Sequence, residues 1–534
     1  MKFTRFLSLL LVLALPAVAQ QRRGGRGLQT DQPDATASRP TTTPATTPAA
    51  ETPRVTYSGN TPIADKVDET PIVTHHELQF GGVAHGYTAT VGQMPILNPA
   101  GETEAHFFYI AYTLDEGTND LSKRPVTFAF NGGPGSASIW LHMGALGPKR
   151  VKLTDTGDMP PPPYKLVDNE DTILDSSDLV FIDAIGTGYS TARSLELARK
   201  YNGVQGDLQS FGEFIRMYLT RNGRWVSPLF LAGESYGTFR AAGLAGSLID
   251  QGIAFNGVML ISTVLNFDAL QPRLGNGLAY ALNLPTYTAD AWYHHKLAPE
   301  LQKDLKATLK ECEAWSMTGY LEALNKGDQI SETERKEVVA KLARFTGLDP
   351  RYVDQSNLRF GVGQFTRELL RNEKLIIGRY DGRLTGPAPL NIGETADFDP
   401  SGSLPLPPFR AVFMDYVRNE LGYKTDATYY VSGGVTPWDW GSQNSYADTS
   451  SLLHNAFTKD PHLRVHICAG YYDLATPYWG VEYTLNHLGI HPETQKSITW
   501  QFFEAGHMMY IDRKCHAQLK QDLSDFIRQS MPQP

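Results

Sequence analysis

Leu229-Phe230-Leu231-Ala232-Gly233-Glu234-Ser235-Tyr236-Gly237 sets a run of apolar residues, the pattern of a buried strand, directly before Gly-x-Ser-x-Gly. The residues that follow, 238–249, carry their apolar side chains at helical spacing. Strand, sharp turn with a serine at its apex, then helix is the layout of a nucleophile elbow. A serine on so tight a turn needs small residues at both flanks, because a side chain there strikes the adjoining strand and helix; Gly233 and Gly237 meet that need. The helix then points its free N–H groups and positive dipole end at the serine, where negative charge develops in acyl transfer. The five-residue pattern alone is weak, since a plain glycine-rich turn would also match it. The flanking strand and helix are what favour the elbow.

Outward from this stretch, short apolar runs closed by turn residues recur beyond about Thr70, most clearly at 107–112, 126–130, 179–182, 229–232, 258–261, 465–468 and 498–503. Amphipathic stretches lie between several of them, notably 207–219 and 238–249. Strands alternating with helices predict an α/β fold on a mostly parallel sheet. Between about 265 and 408 the strand pattern gives way to helical periodicity, at 289–296, 301–315, 333–345 and 364–372. This predicts an inserted helical subdomain (265–408) within a catalytic domain made of 70–264 and 409–534, with one more helix at 409–421.

A serine hydroxyl is a poor nucleophile until a base takes its proton, so an imidazole and an orienting carboxylate are sought downstream. Asp473, in Cys468-Ala469-Gly470-Tyr471-Tyr472-Asp473, follows one predicted strand; His507, in Glu504-Ala505-Gly506-His507-Met508-Met509, follows the next. Singly, a turn aspartate and a surface histidine are commoner readings. In the order Ser, Asp, His, each just past a strand, they read as the catalytic three of an α/β-hydrolase fold. Phe130-Asn131-Gly132-Gly133-Pro134-Gly135 also follows a strand, and its glycines let backbone N–H groups approach a substrate; Gly133 and Tyr236 are the expected oxyanion donors.

The chain of 534 residues, 41% hydrophobic and 20% charged, can bury a large core. Lys2 and Arg5, the apolar run 6–15 and Ala17-Val18-Ala19 read as a signal peptide over 1–19, implying export to a periplasm or the medium. That run is shorter than the roughly 20 residues a spanning helix needs. From 20 to 56 the chain is rich in Thr, Pro and Ala with few large apolar residues, the composition of a disordered linker. A net charge of −9, without clustered basic residues beyond 22–26, argues against nucleic acid as a partner. Three cysteines allow at most one internal disulfide, with Cys468 and Cys515 as candidates. His75-His76 and His294-His295 belong to no metal-ligand motif, so no metal and no cofactor is expected. The aromatic stretch 429–440, with Trp438 and Trp440, either lines a pocket or packs.

Several motifs together resemble the serine carboxypeptidase family (peptidase family S10) from Thr70 onward. Asn131 to Gly135 is similar to the family's Asn-Gly-Gly-Pro-Gly, 182–190 to its Gly-Thr-Gly-Phe-Ser segment, 233–237 to its Gly-Glu-Ser-Tyr-Gly, and Gly506-His507-Met508 to its histidine motif. The resemblance implies a serine-type carboxypeptidase acting on peptide C-termini, with Ser235 as nucleophile, His507 as general base and acid, and Asp473 orienting the imidazole. It further implies that Asn131 and Glu234 bind the substrate's terminal carboxylate and that the helical insert is a lid. Ala129, Ser136 and Ala145 stand where the family usually has Trp, Cys and Glu. The first and last of these thin the expected carboxylate-binding wall. An esterase or acyltransferase would be built on the same three residues, and a non-catalytic binding protein on the same fold.

Overall fold

The apolar runs pair side by side, as strands buried on both faces do. Residues 56–58, 61–115, 120–443 and 445–531 are described by this computed structural model; the leader and the linker up to residue 55 lie outside the described residues. The main strands are β1 (Ile72–Phe80), β2 (Val83–Leu97), β3 (Thr103–Leu114), β4 (Val126–Phe130), β5 (Asp178–Ile182), β6 (Leu229–Ser235), β7 (Gly257–Thr263), β8 (Arg464–Gly470) and β9 (Ile498–Phe503). In space they run β1-β2-β3-β5-β4-β6-β7-β8-β9, antiparallel as far as β5 and parallel from there to β9. Every strand of the parallel half therefore ends at the same edge, where such sheets form their sites.

Side chains along these strands alternate between two cores. Val126, Phe128, Leu231 and Leu260 enter one with α1 (Val204–Arg221) and α2 (Tyr236–Leu248); Ala129, Phe230, Met259 and Cys468 enter the other with the carboxyl-terminal helix Arg513–Gln529. Because both faces are covered, the strands read as continuous apolar runs in which the period of two is hidden. Burying each of the larger of these side chains, Val126, Phe128, Leu231, Leu260, Phe230 and Met259, stabilises the fold by roughly 1.5–3 kcal/mol.

The stretch from β7 to β8 carries α3 (Gly277–Tyr293) and the shorter helices Leu305–Trp315, Glu332–Thr346 and Val362–Glu368. Leu284, Tyr287, Cys312, Leu342 and Phe345 pack there into a core of their own. Two differences from the sequence reading stand out in this stretch. The helical pattern at 289–296 is the end of a helix that begins twelve residues earlier, and α3 continues through Pro285. The stretch is also not wholly helical: Leu375–Ile377 and Thr385–Pro387 pair as an antiparallel ribbon. The hairpin β1–β2, turned by Gly81 and Gly82 at positive φ, was not marked by any apolar run. All three cysteines are buried free thiols, so Cys468 and Cys515 do not pair.

Candidate active site

Ser235 ends β6 and Tyr236 begins α2, with Ser235 at φ 59° and ψ −129°. That region strongly disfavours side chains, and such strain persists only where the surroundings impose it. They do so here through close backbone approach. A Cβ on Gly233 would sit 2.1 Å from the Gly237 carbonyl oxygen, and one on Gly237 would sit 2.7 Å from that of Phe130. Gly132 is equally constrained, since a Cβ on it would sit 2.3 Å from the Tyr236 nitrogen, so the loop after β4 lies directly on the elbow. Gly233→Ala is expected to cost about 3 kcal/mol, read as an earlier denaturation midpoint together with lost fluorophosphonate labelling. A wild-type midpoint and full labelling would refute this steric account.

Asp473 and His507 meet at the carboxyl ends of β8 and β9. His507 Nδ1 lies 2.7 Å from Asp473 Oδ2, both residues are buried, and the remaining carboxylate valences are filled. Asp473 Oδ1 accepts from the Ala475 and Thr476 backbone N–H groups at 2.8 and 3.0 Å, and Oδ2 also accepts the Thr476 hydroxyl at 2.6 Å. Burial alone would lower the His507 pKa. The adjacent Asp473 carboxylate more than offsets it and the net shift is upward, while the imidazole and Thr476 hold Asp473 below the usual carboxylate range against the same burial. The His507 main chain is pinned on both sides, its N–H donating to the Tyr380 carbonyl at 2.6 Å and its carbonyl accepting the Ser262 hydroxyl at 2.6 Å.

Ser235 and His507 line one cavity of about 420 Å³ together with Asn131, Gly133 and Glu234. The Leu141 backbone N–H donates to Asn131 Oδ1 at 3.0 Å, which fixes the amide so that Nδ2 donates to Glu234 Oε1 at 2.8 Å. Glu234 Oε2 is buried and makes no hydrogen bond, with the Tyr510 hydroxyl beside the carboxyl. Burial raises the Glu234 pKa to about 7, with the His507 imidazole, Tyr510 and Asn131 opposing that rise and Asp473 adding to it. The loop is held from behind by Arg240. This fully buried guanidinium pairs with Asp207 at 2.8 Å and donates to the Asn131 carbonyl at 2.8 Å.

All seven residues singled out in the sequence lie at one edge of the sheet: Asn131, Gly133, Glu234, Ser235 and His507 line the cavity, Tyr236 opens α2 next to Ser235, and Asp473 pairs with His507. Thr476, Arg240, Ser262, Arg379 and Tyr380 were missed. Of these only Thr476 carried a local signal, an Asp-x-x-Thr turn with its hydroxyl back on the aspartate. Ala129 and Ala145 are buried and do not line the cavity, so they do not form its wall directly; Ser136 does line it. The aromatic stretch packs, with Trp438 and Trp440 against Tyr236 and Trp440 against Phe267 as well.

The family model described as serine carboxypeptidase matches residues 96–502. No curated protein matches the chain in sequence. Among solved structures, the prohormone-processing carboxypeptidase Kex1 from Saccharomyces cerevisiae superposes with a TM-score of 0.51 at 15% identity, covering 83% of this chain and 91% of that one. A proline iminopeptidase from Mycobacterium smegmatis reaches a TM-score of 0.31 at 12% identity, covering 86% and 98%. The Kex1 likeness shows the shared α/β-hydrolase fold, and with the match to the family model over most of its length, this chain belongs to the serine carboxypeptidase family.

Proposed function

We propose that this serine carboxypeptidase releases the C-terminal residue of peptides through an acyl-enzyme on Ser235. The observation that carries the reading is the buried Asn131–Glu234 pair, 2.8 Å apart, in the same cavity as Ser235 and His507. His507 Nε2 takes the Ser235 proton as Oγ attacks the last peptide carbonyl, and the Gly133 and Tyr236 N–H groups hold the oxyanion. His507 then protonates the leaving amine, and water resolves the acyl-enzyme by the same route in reverse. Among the described residues the Ser235 hydroxyl makes no hydrogen bond; the one the mechanism needs, to His507 Nε2 across the same cavity, forms with substrate bound. The insert between β7 and β8 serves as the lid, its Arg379 and Tyr380 lining the cavity. Export is supported by the charged, apolar and small-residue order of 1–19, and no described helix is long and apolar enough to cross a membrane.

A peptide's terminal carboxylate can hydrogen-bond Glu234 only while that carboxyl keeps its proton. With a pKa of about 7, Glu234 is mostly protonated below pH 7 and becomes a repelling anion above it. For an N-blocked dipeptide acid, kcat/KM is therefore expected to fall about tenfold per pH unit once Glu234 has ionised, while the matching amide shows no such limb. Glu234→Gln removes the limb. Because Glu234 and His507 interact, the limbs belong to the pair and not to either residue. A profile that rises steadily toward pH 9 for the acid would sink the assignment. Cleavage of a simple ester but of neither peptide would assign the triad to an esterase instead.

A further inference from the structure

Arg379 is the one permanently charged cation lining the active-site cavity among the described residues. The other lining side chains are neutral or, as with Glu234 and His507, already engaged in the site. The Arg379 guanidinium is exposed, forms no ion pair among the described residues, and lies 5.1 Å from the ring centre of its neighbour Tyr380. It is close enough to His507 to oppose protonation of the imidazole.

The main chain that carries it is held on both sides. The Arg379 N–H donates to Asp399 at 3.1 Å and its carbonyl accepts the Leu474 N–H, next to Asp473, at 3.1 Å. Tyr380 follows suit, its N–H on the Ser401 hydroxyl at 2.9 Å and its carbonyl on the His507 N–H at 2.6 Å. One segment of the insert is thereby tied to both the aspartate loop and the histidine loop. A cation without a counter-ion, mounted on such a segment beside the reacting atoms, is a preformed partner for an anion in the substrate. Under the function proposed above, the terminal carboxylate is taken by the buried Asn131–Glu234 pair, which leaves a side-chain carboxylate as the remaining anion a peptide can offer. We propose that Arg379 makes this site select peptides with an aspartate or glutamate side chain at one of the two residues flanking the scissile bond. This rests on the carboxypeptidase reading and adds a substrate class to it.

The test compares kcat/KM for four N-blocked dipeptide acids at pH 6, carrying Glu or Gln at the released residue and Glu or Gln at the residue before it. At that pH a substrate glutamate is ionised and Glu234 is mostly protonated. Both members of a pair use the same triad, so the Glu/Gln ratio is insensitive to any change in His507 caused by losing the guanidinium. One ratio is expected to be about tenfold, and to shrink as salt is added. Arg379→Gln brings it to within about twofold of one, and Arg379→Glu takes it below one and turns the preference toward a Lys substrate at the same position. Ratios near one at both positions in the unmodified protein, or a ratio that survives Arg379→Gln, overturn the proposal while cleavage of the Gln substrates leaves the carboxypeptidase reading standing. Cleavage of none of the four by protein that still labels with a fluorophosphonate overturns both.

Discussion

Ser235→Ala is expected to cut turnover of an N-blocked dipeptide acid by on the order of a thousandfold or more and to abolish fluorophosphonate labelling. The alanine keeps the backbone of the elbow, with its φ of 59°, and the Gly133 and Tyr236 N–H groups. What it loses is the cavity-lining hydroxyl proposed to form the acyl-enzyme. Residual activity comes from oriented water and the oxyanion donors alone. Binding of a dipeptide acid persists, because the Asn131–Glu234 pair is untouched, so the loss falls on kcat and leaves substrate affinity near that of the unmodified protein. A variant within tenfold of full turnover places the nucleophile elsewhere. Equal loss of binding and turnover instead marks a collapsed elbow, which the denaturation midpoint separates from lost chemistry.

The parts of this site that were legible in the sequence are those fixed by local backbone geometry. Gly233 and Gly237 are dictated by how close an added Cβ would come to backbone nearby in sequence or on the adjoining strand, 2.1 Å from the Gly237 carbonyl oxygen and 2.7 Å from that of Phe130, so the motif announces itself. Asp473 and His507 became legible through topology: each follows a parallel strand whose end is fixed by the sheet. The hairpin of β1 and β2 escaped because His75, His76, Glu77 and Gln79 interrupt any apolar run, although Gly81-Gly82 is a hairpin signal in its own right. Arg240 and Asp207 escaped for a different reason. Each sits on an amphipathic helix where a charge reads as solvent-facing, yet together they form a buried pair whose function is to hold the Asn131 carbonyl. Arg379 and Tyr380 had no local signature at all, since their position depends on Asp399, Ser401, Leu474 and His507, the last two 95 and 127 residues beyond the residues they hold.

Asp473→Asn tests the histidine's tautomer and carries an expected loss of roughly ten-thousandfold in kcat at neutral pH, about 5 kcal/mol of transition-state stabilisation. The orientation of the new amide is decided by the two backbone donors. The Ala475 and Thr476 N–H groups, 2.8 and 3.0 Å from Oδ1, require an oxygen there, so the amide nitrogen takes the place of Oδ2. That nitrogen then donates toward His507 Nδ1, 2.7 Å away, and the Thr476 hydroxyl, 2.6 Å away, rotates to accept its second proton. His507 is left with its proton on Nε2, the atom that must receive the Ser235 proton, and the imidazole cannot act as base. The packing is nearly unchanged because the replacement is isosteric and every hydrogen bond is kept with its direction reversed at one end. Selective 15N-histidine labelling reads the tautomer directly, and the expected result is a single ring resonance switching from protonated Nδ1 to protonated Nε2 alongside the loss of turnover. Should Nδ1 stay protonated while activity falls, the role of Asp473 is electrostatic stabilisation of the imidazolium and not selection of the tautomer. Activity within tenfold of the unmodified protein removes Asp473 from the catalytic three.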